Sequence, residues 1–183
     1  MTLLIVLAVL IVVGLVGVGL YNGLVRARVR VDESWAGVET QLKRRHDLIP
    51  NLVETVKGYA GHERDVLTRV TELRSQAMAA RTPAEQGATE GLLGQALRGL
   101  VAVAERYPDL KASQNFAALQ GELSATEGAI ASARAVFNAS VRDLNTKIDT
   151  VPTNLIAGWF GFTRREFFEI QDPAERAVPQ VRF

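Results

Sequence analysis

The stretch VETQLKRRHDLIPNLVETVKGYAGHE, residues 38–63, decides the fold, because it is spaced as one long helix and yet carries Pro50 in its interior. Alternate steps of three and four residues from Trp35 meet Val38, Leu42, Arg45, Ile49, Leu52, Val56, Tyr59, Glu63, Val66, Val70, Leu73 and Ala77. All of these except Arg45 and Glu63 are apolar or aromatic, which is the 3.5-residue signature of a buried helix seam. Pro50 removes the backbone hydrogen bond to the His46 carbonyl and crowds that oxygen, at ~3 kcal/mol in a helix interior. The seam keeps its phase on both sides, so the spacing predicts a helix bent at Pro50 rather than ended there. A second use of the freed carbonyl is to accept a side-chain donor.

Towards the N-terminus, no charged side chain precedes Arg26, and Leu3 to Leu20 is apolar or Gly throughout. Carried as helix to Gly23, this segment is ~30 Å long at ~1.5 Å per residue, enough to cross a hydrocarbon core. It lacks a basic n-region, is too long for a signal h-region and has no small-x-small site after it, so a retained anchor at 1–25 is the expectation. Arg26, Arg28 and Arg30 follow the span directly, which by the positive-inside rule puts the bulk of the chain in the cytoplasm and a short N-terminus outside. Those three arginines are also the expected headgroup contacts. Lys43, Arg44 and Arg45 begin ~25 Å further along a helix, beyond a Debye length of about 10 Å. Gly19 and Gly23 form a GxxxG pattern that suits span–span packing.

Towards the C-terminus the pattern stays helical. The first helix is expected over about 26–80, continuous with the span. Thr82-Pro83-Ala84-Glu85 then supplies a hydroxyl N-cap, a first-turn Pro and a capping-box Glu for a helix over 83–107. That helix carries Leu93, Ala96, Leu97, Leu100, Val101 and Ala104 on one face, but Gly87, Gly91, Gly94 and Gly99 make its first half weak, at ~1 kcal/mol each against Ala. A further helix over 111–150 has its seam at Phe116, Leu119, Leu123, Ile130, Ala133, Phe137, Val141, Leu144 and Ile148. The expected fold is all-α: three to four long antiparallel bundle helices over 26–150, the first continuous with the transmembrane helix. A Gly/aromatic tail over 151–183, with Trp159, Phe160, Phe162, Phe167 and Phe168, is expected to pack on the bundle or to dock elsewhere.

Chemistry is sparse. The chain has 183 residues, no cysteine, two histidines and a formal net charge of +1. That excludes thiolate metal sites and Cys nucleophiles, and it gives no electrostatic case for nucleic acid. His46 and His62 are ~24 Å apart on a continuous helix, too far to share an ion. No zincin, di-iron, nucleophile-elbow, P-loop or dinucleotide motif is present. Catalytic, metal and cofactor residues are therefore expected to be none, with both histidines exposed or half-buried and their replacement by Ala nearly silent. The seam charges Arg45 and Glu63 either meet opposite charges on neighbouring helices, such as Glu122, Glu127 or Arg134, and set registry or oligomer contact, or mark places where the seam turns outward.

Three stretches then carry a resemblance: YNGLVRARVRVDESWAGVETQLKRRHDLIPNLVETVKGYAGHE, ERYPDLKASQNFAALQGELSATEGAIASARAVFNASVRDLN and VPTNLIAGWFGF. With YN-x-LV, QLKRR-x-DLIPNLVE, YPDLKA and P-x-NLIA-x-x-FGF, the chain closely resembles the LemA family of bacterial membrane proteins over almost its whole length. The resemblance implies an N-terminal anchor in the bacterial inner membrane, a long-helix bundle and no established catalytic residues. It also implies links to membrane organisation and envelope stress, including a magnetosome-forming branch. The function expected is a non-enzymatic, homo-oligomeric scaffold or membrane-shaping factor, with membrane lipid as partner. An adaptor or regulator of another membrane protein is the alternative, and a metal-dependent hydrolase the remotest.

Overall fold

The computed structural model describes residues 1–170, so the 171–183 part of the expected tail lies outside the described residues. Within them the chain forms six helices and no strand: α1 Thr2–Tyr59, α2 Arg64–Ala79, α3 Pro83–Ala104, α4 Pro108–Lys111, α5 Gln114–Asp149 and α6 Thr153–Trp159. The all-α expectation holds, and α1 runs unbroken from the apolar segment through Pro50.

The expected single helix over 26–80 is corrected. It ends at Tyr59, and a tight turn over Ala60–Glu63 leads into α2. The turn closes through Ala60 N–H on the Val56 carbonyl (2.8 Å) and Glu63 N–H on the Ala60 carbonyl (3.0 Å). Arg74 Nε lies 2.7 Å from the His46 carbonyl, whereas those residues would stand ~42 Å apart on a straight helix. So α2 folds back along the end of α1. Gly58 and Gly61 weaken the helix where it breaks. Folding back lets Ile49, Leu52, Val56 and Ala60 share one core with Leu67, Val70, Leu73 and Ala77. Each large aliphatic side chain so buried contributes ~1.5–3 kcal/mol, more than the few hydrogen bonds a straight helix would have kept. The seam misled because the hairpin turns at Ala60 and both arms present their apolar face to a common interior.

The chain divides into two compact units. One is Met1–Val38 with Ala133–Glu166. Here α1 and α5 run antiparallel, as Trp35 meets Phe137 (ring centroids 5.0 Å) while Arg30 meets Asp143 (3.5 Å). Leu24, Ala27, Val31 and Val38 of α1, and Phe137, Val141 and Leu144 of α5, are buried. The apolar segment before them is not: its Leu, Ile and Val side chains from Leu3 to Val18 are exposed.

The other unit is Glu39–Ser132 with the segment that begins at Phe167. It holds the hairpin, α3, α4 and the first half of α5. The capping box expected at Thr82 forms, with Glu85 N–H donating to Thr82 Oγ1 (3.2 Å) and Thr82 N–H to Glu85 Oε2 (3.3 Å). The weak first half of α3 is held by contacts that need small residues. A Cβ at Gly87 would collide with the Glu169 backbone, so this glycine admits the returning tail. Phe168 beside it is fully buried.

Two glycines of α3 should therefore respond oppositely in thermal unfolding of the full chain in detergent. Gly99 has open space around its missing Cβ, so Gly99→Ala should stabilise by ~0.5–1 kcal/mol through helix propensity. Gly87→Ala should lower the midpoint, because overpacking costs ~1–3 kcal/mol. A rise for both variants would contradict the close approach at Glu169.

Candidate functional site: a buried charge cluster

Arg45, His46 and Glu90 are the buried ionisable side chains among the described residues, and they lie together. Adjacent positions on α1 put Arg45 and His46 on neighbouring columns of one face, while α3 supplies Glu90. Arg45 Nη1 donates to Glu90 Oε2 at 2.9 Å, and His46 Nε2 meets Glu90 Oε1 at 2.7 Å. Both carboxylate oxygens are thus engaged by groups from α1. The second guanidinium nitrogen of Arg45 reaches Glu127 of α5 at 2.8 Å, where the carboxylate is half exposed. Gly94 lies beneath this guanidinium, and a Cβ there would stand 3.2 Å from Nη2.

The cluster extends through two more residues. Arg74 of α2 donates Nε to the His46 carbonyl, the oxygen that Pro50 leaves without its helical N–H. Gln86 of α3 donates Nε2 to the Ala77 carbonyl near the end of α2 (3.2 Å) and lies 3.4 Å from Glu90 Oε1. Side chains of α1, α2, α3 and α5 therefore meet at one polar centre. Arg45 Nε is buried without a hydrogen-bond partner. The desolvation cost of burying such a cluster offsets much of its Coulombic gain, so it adds little net stability.

The residues singled out by sequence fall as follows. Arg45 finds Glu127, one of the partners the sequence offers, and also Glu90, which was not among them. Glu63 sits in the turn before α2 and pairs with Arg106 (2.9 Å), with the Tyr107 hydroxyl at 3.5 Å. His62 is exposed in the same turn. The expectation that His46 is at most half-buried is corrected: it is 6% exposed and its Nε2 lies 2.7 Å from one oxygen of a buried carboxylate. His46 lies four residues after Leu42 and three before Ile49, and a core-facing stripe is wide enough to take in that column as well as the 3.5-residue seam. The same reasoning finds Glu90, three residues before Leu93 and seven before Leu97.

Of the three juxtamembrane arginines, Arg26 is exposed, Arg28 places its guanidinium carbon 5.2 Å from the Phe162 ring centroid, and Arg30 pairs with Asp143. Gly19 and Gly23 have nothing within 4 Å of a Cβ position. The aromatic set does not pack as one. Phe168 is buried and Phe162 and Phe167 are half-buried, but Trp159 is 86% and Phe160 60% exposed. Of the two courses expected for the aromatic tail, packing on the bundle or docking elsewhere, Phe168 takes the first, Phe160 meets Tyr21 of α1 (ring centroids 4.8 Å), and Trp159 is left exposed.

Among the described residues no group of three or more His, Asp or Glu side chains converges as a metal site. A surface groove lined by Gly94, Leu97, Arg98, Leu123 and Glu127 borders the charge cluster. Another follows the hairpin past Val53, Lys57, Gly61, Leu67 and Thr71. The cluster's chemistry is that of a lock between helices.

The family model described as LemA family matches residues 34–183. The magnetosome protein MamQ of Magnetospirillum gryphiswaldense is 25% identical, the match covering 88% of this chain and 70% of that protein. Magnetosome protein MamQ 2 of Paramagnetospirillum magneticum gives the same figures. The protein LemA of Metamycoplasma hominis is 27% identical over 76% of this chain and 64% of its own. None of these names denotes an enzyme.

The hairpin lock should show in a double-mutant cycle. Arg74→Ala alone strands a partly buried carbonyl and should cost ~1 kcal/mol or more. In a Pro50→Ala background the residue at 50 regains an N–H for that carbonyl, so the same replacement should cost about 1 kcal/mol less. Equal costs in both backgrounds, measured by denaturant unfolding, would show that Arg74 and Pro50 do not act on the same oxygen.

Proposed function

The chain belongs to the LemA family, and from that premise we propose that it is a membrane-anchored, non-catalytic component whose copies assemble into a scaffold that organises or shapes the bacterial inner membrane. The observation that carries this reading is the course of α1. Its first 18-residue apolar window has no buried part, and the same helix becomes core at Leu24 without a break. A solvent that accepts those exposed leucines and valines is a hydrocarbon one.

Assembly is supported by what the span leaves open. Gly19 and Gly23 lie on one helix face with nothing near their Cβ positions, the arrangement that lets a second span approach closely. Arg26, Arg28 and Arg30 favour the cytoplasm for the part of the chain that follows the span, and Arg26 is placed to meet anionic headgroups there. The relatives' names put two of them at the magnetosome and assign none of them a reaction; we read the present chain likewise as a component rather than a catalyst.

The test is the particle mass of the full chain in lipid nanodiscs or mild detergent. Assemblies of two or more copies are expected, and Gly19→Ile with Gly23→Ile should shift them towards monomer. A monomer at every concentration would contradict the scaffold. In-cell crosslinking to one dominant foreign membrane protein, without a self-ladder, would favour an adaptor instead.

A further inference from the structure

We propose that the charge-free loop over residues 150–163 enters the membrane–water interface beside α1, with Trp159 and Phe160 as its anchors, so that the chain holds lipid at two separate points of its sequence. This rests on the reading of α1 as a membrane span.

The loop is built as a projection with a charged base. Asp149 and Arg164 bound it, and no charged residue lies between them. Those two side chains approach to 3.7 Å, so the loop leaves and returns at one place. Just below the loop, Asn145 grips the backbone of Arg165 twice, through Nδ2 to its carbonyl (3.0 Å) and Oδ1 from its N–H (2.9 Å). The Arg165 side chain in turn reaches Asp32 of α1 at 3.3 Å.

Above that base, α6 buries Ala157, half-buries Ile156 and turns its other large side chains out. Ala157 is buried, while Leu155 and Trp159, four residues apart and so on one face, are 68% and 86% exposed. Val151 and Phe160 are exposed as well. Gly161, at φ +68°, then reverses the chain, the usual role of glycine after a helix C-terminus. An apolar patch of this size, free of charge, is not normal on a water-facing surface.

Its position says what covers it. The Tyr21 ring touches Phe160 (centroids 4.8 Å) and Phe162 (5.8 Å), and Tyr21 is the residue directly after the apolar run Leu3–Leu20. Arg28, ~10 Å further along α1, covers the other aromatic partner, Phe162. The sequence of contacts along α1 is therefore hydrocarbon segment, Tyr with Phe160, then Phe with guanidinium. That is the polarity gradient of a membrane interface, where Trp and Tyr rings gather with their polar ends towards water. A lipid surface fits the patch because the patch continues the span's own apolar surface past its end.

The chain contains two Trp, so the variant Trp35→Phe, which keeps an aromatic ring against Phe137, leaves Trp159 as the sole indole reporter. The full chain with this change is reconstituted into phosphatidylcholine–phosphatidylglycerol vesicles. Lipids brominated near the headgroup should quench Trp159 on the order of two-fold, and lipids brominated near the chain terminus distinctly less, as for an interfacial indole. Emission unchanged by either lipid, with aqueous acrylamide quenching it freely, would overturn the proposal. A blue shift that follows protein-to-lipid ratio and ignores bromine would also overturn it, assigning the patch to a second copy. Alkaline carbonate extraction of the same vesicles separates the two claims: release of the chain would defeat the membrane reading itself, whereas retention without bromine quenching defeats only the loop.

Discussion

Burying the Arg45 guanidinium takes a full positive charge out of water, at a cost of several kcal/mol that only close and well-aligned acceptors offset. The acceptors come from far along the chain, Glu90 on α3 and Glu127 on α5. Each arrangement of the helices that leaves Arg45 without them is penalised, whatever its apolar contacts. Hydrophobic burial holds the unit together but is tolerant of register, since one leucine fits another's place at modest cost. The charge cluster is not tolerant. In the arrangement observed, α1 and α3 meet at Arg45, His46 and Glu90.

Pro50 takes part in the same selection. An internal proline strands a carbonyl, and a stranded carbonyl in a partly buried place asks for a donor. Arg74 supplies it from the returning arm of the hairpin. A defect in the regular ladder of α1 thus becomes a specific attachment point for α2. Gly94 and Gly87 work in the same sense: the first admits the guanidinium, the second the tail at Glu169. What looks in sequence like a weak, glycine-rich helix is one that other parts of the chain press against.

The legible parts of the fold were those governed by local rules. The apolar run before Arg26 and the capping box at Thr82 each act within a few residues, and the structure has them where the sequence puts them. The turn at Ala60 was hidden because a hairpin whose two arms face a common core preserves the periodicity of a single helix. Glu90 shares the apolar column of Leu93 and Leu97, but an acidic residue beside glycines reads as solvated surface until a neighbouring helix brings a buried arginine to it. The aromatic residues near the C-terminus were visible as a group, but no periodicity reveals that Phe168 is buried and Trp159 exposed.

The central claim is that one buried carboxylate–guanidinium contact specifies how the helices of this unit meet, and a double-mutant cycle on Arg45 and Glu90 measures it most directly. Arg45→Met and Glu90→Leu should each cost about 3 kcal/mol in denaturant unfolding of the full chain, since the first leaves Glu90 with His46 alone and the second leaves Arg45 with Glu127 alone. The double variant should recover much of that loss, giving a coupling energy of about 2 kcal/mol or more. Additive losses, with the double variant as unstable as the sum of the singles, would mean that the two charges do not hold each other and that the helices are specified by something else.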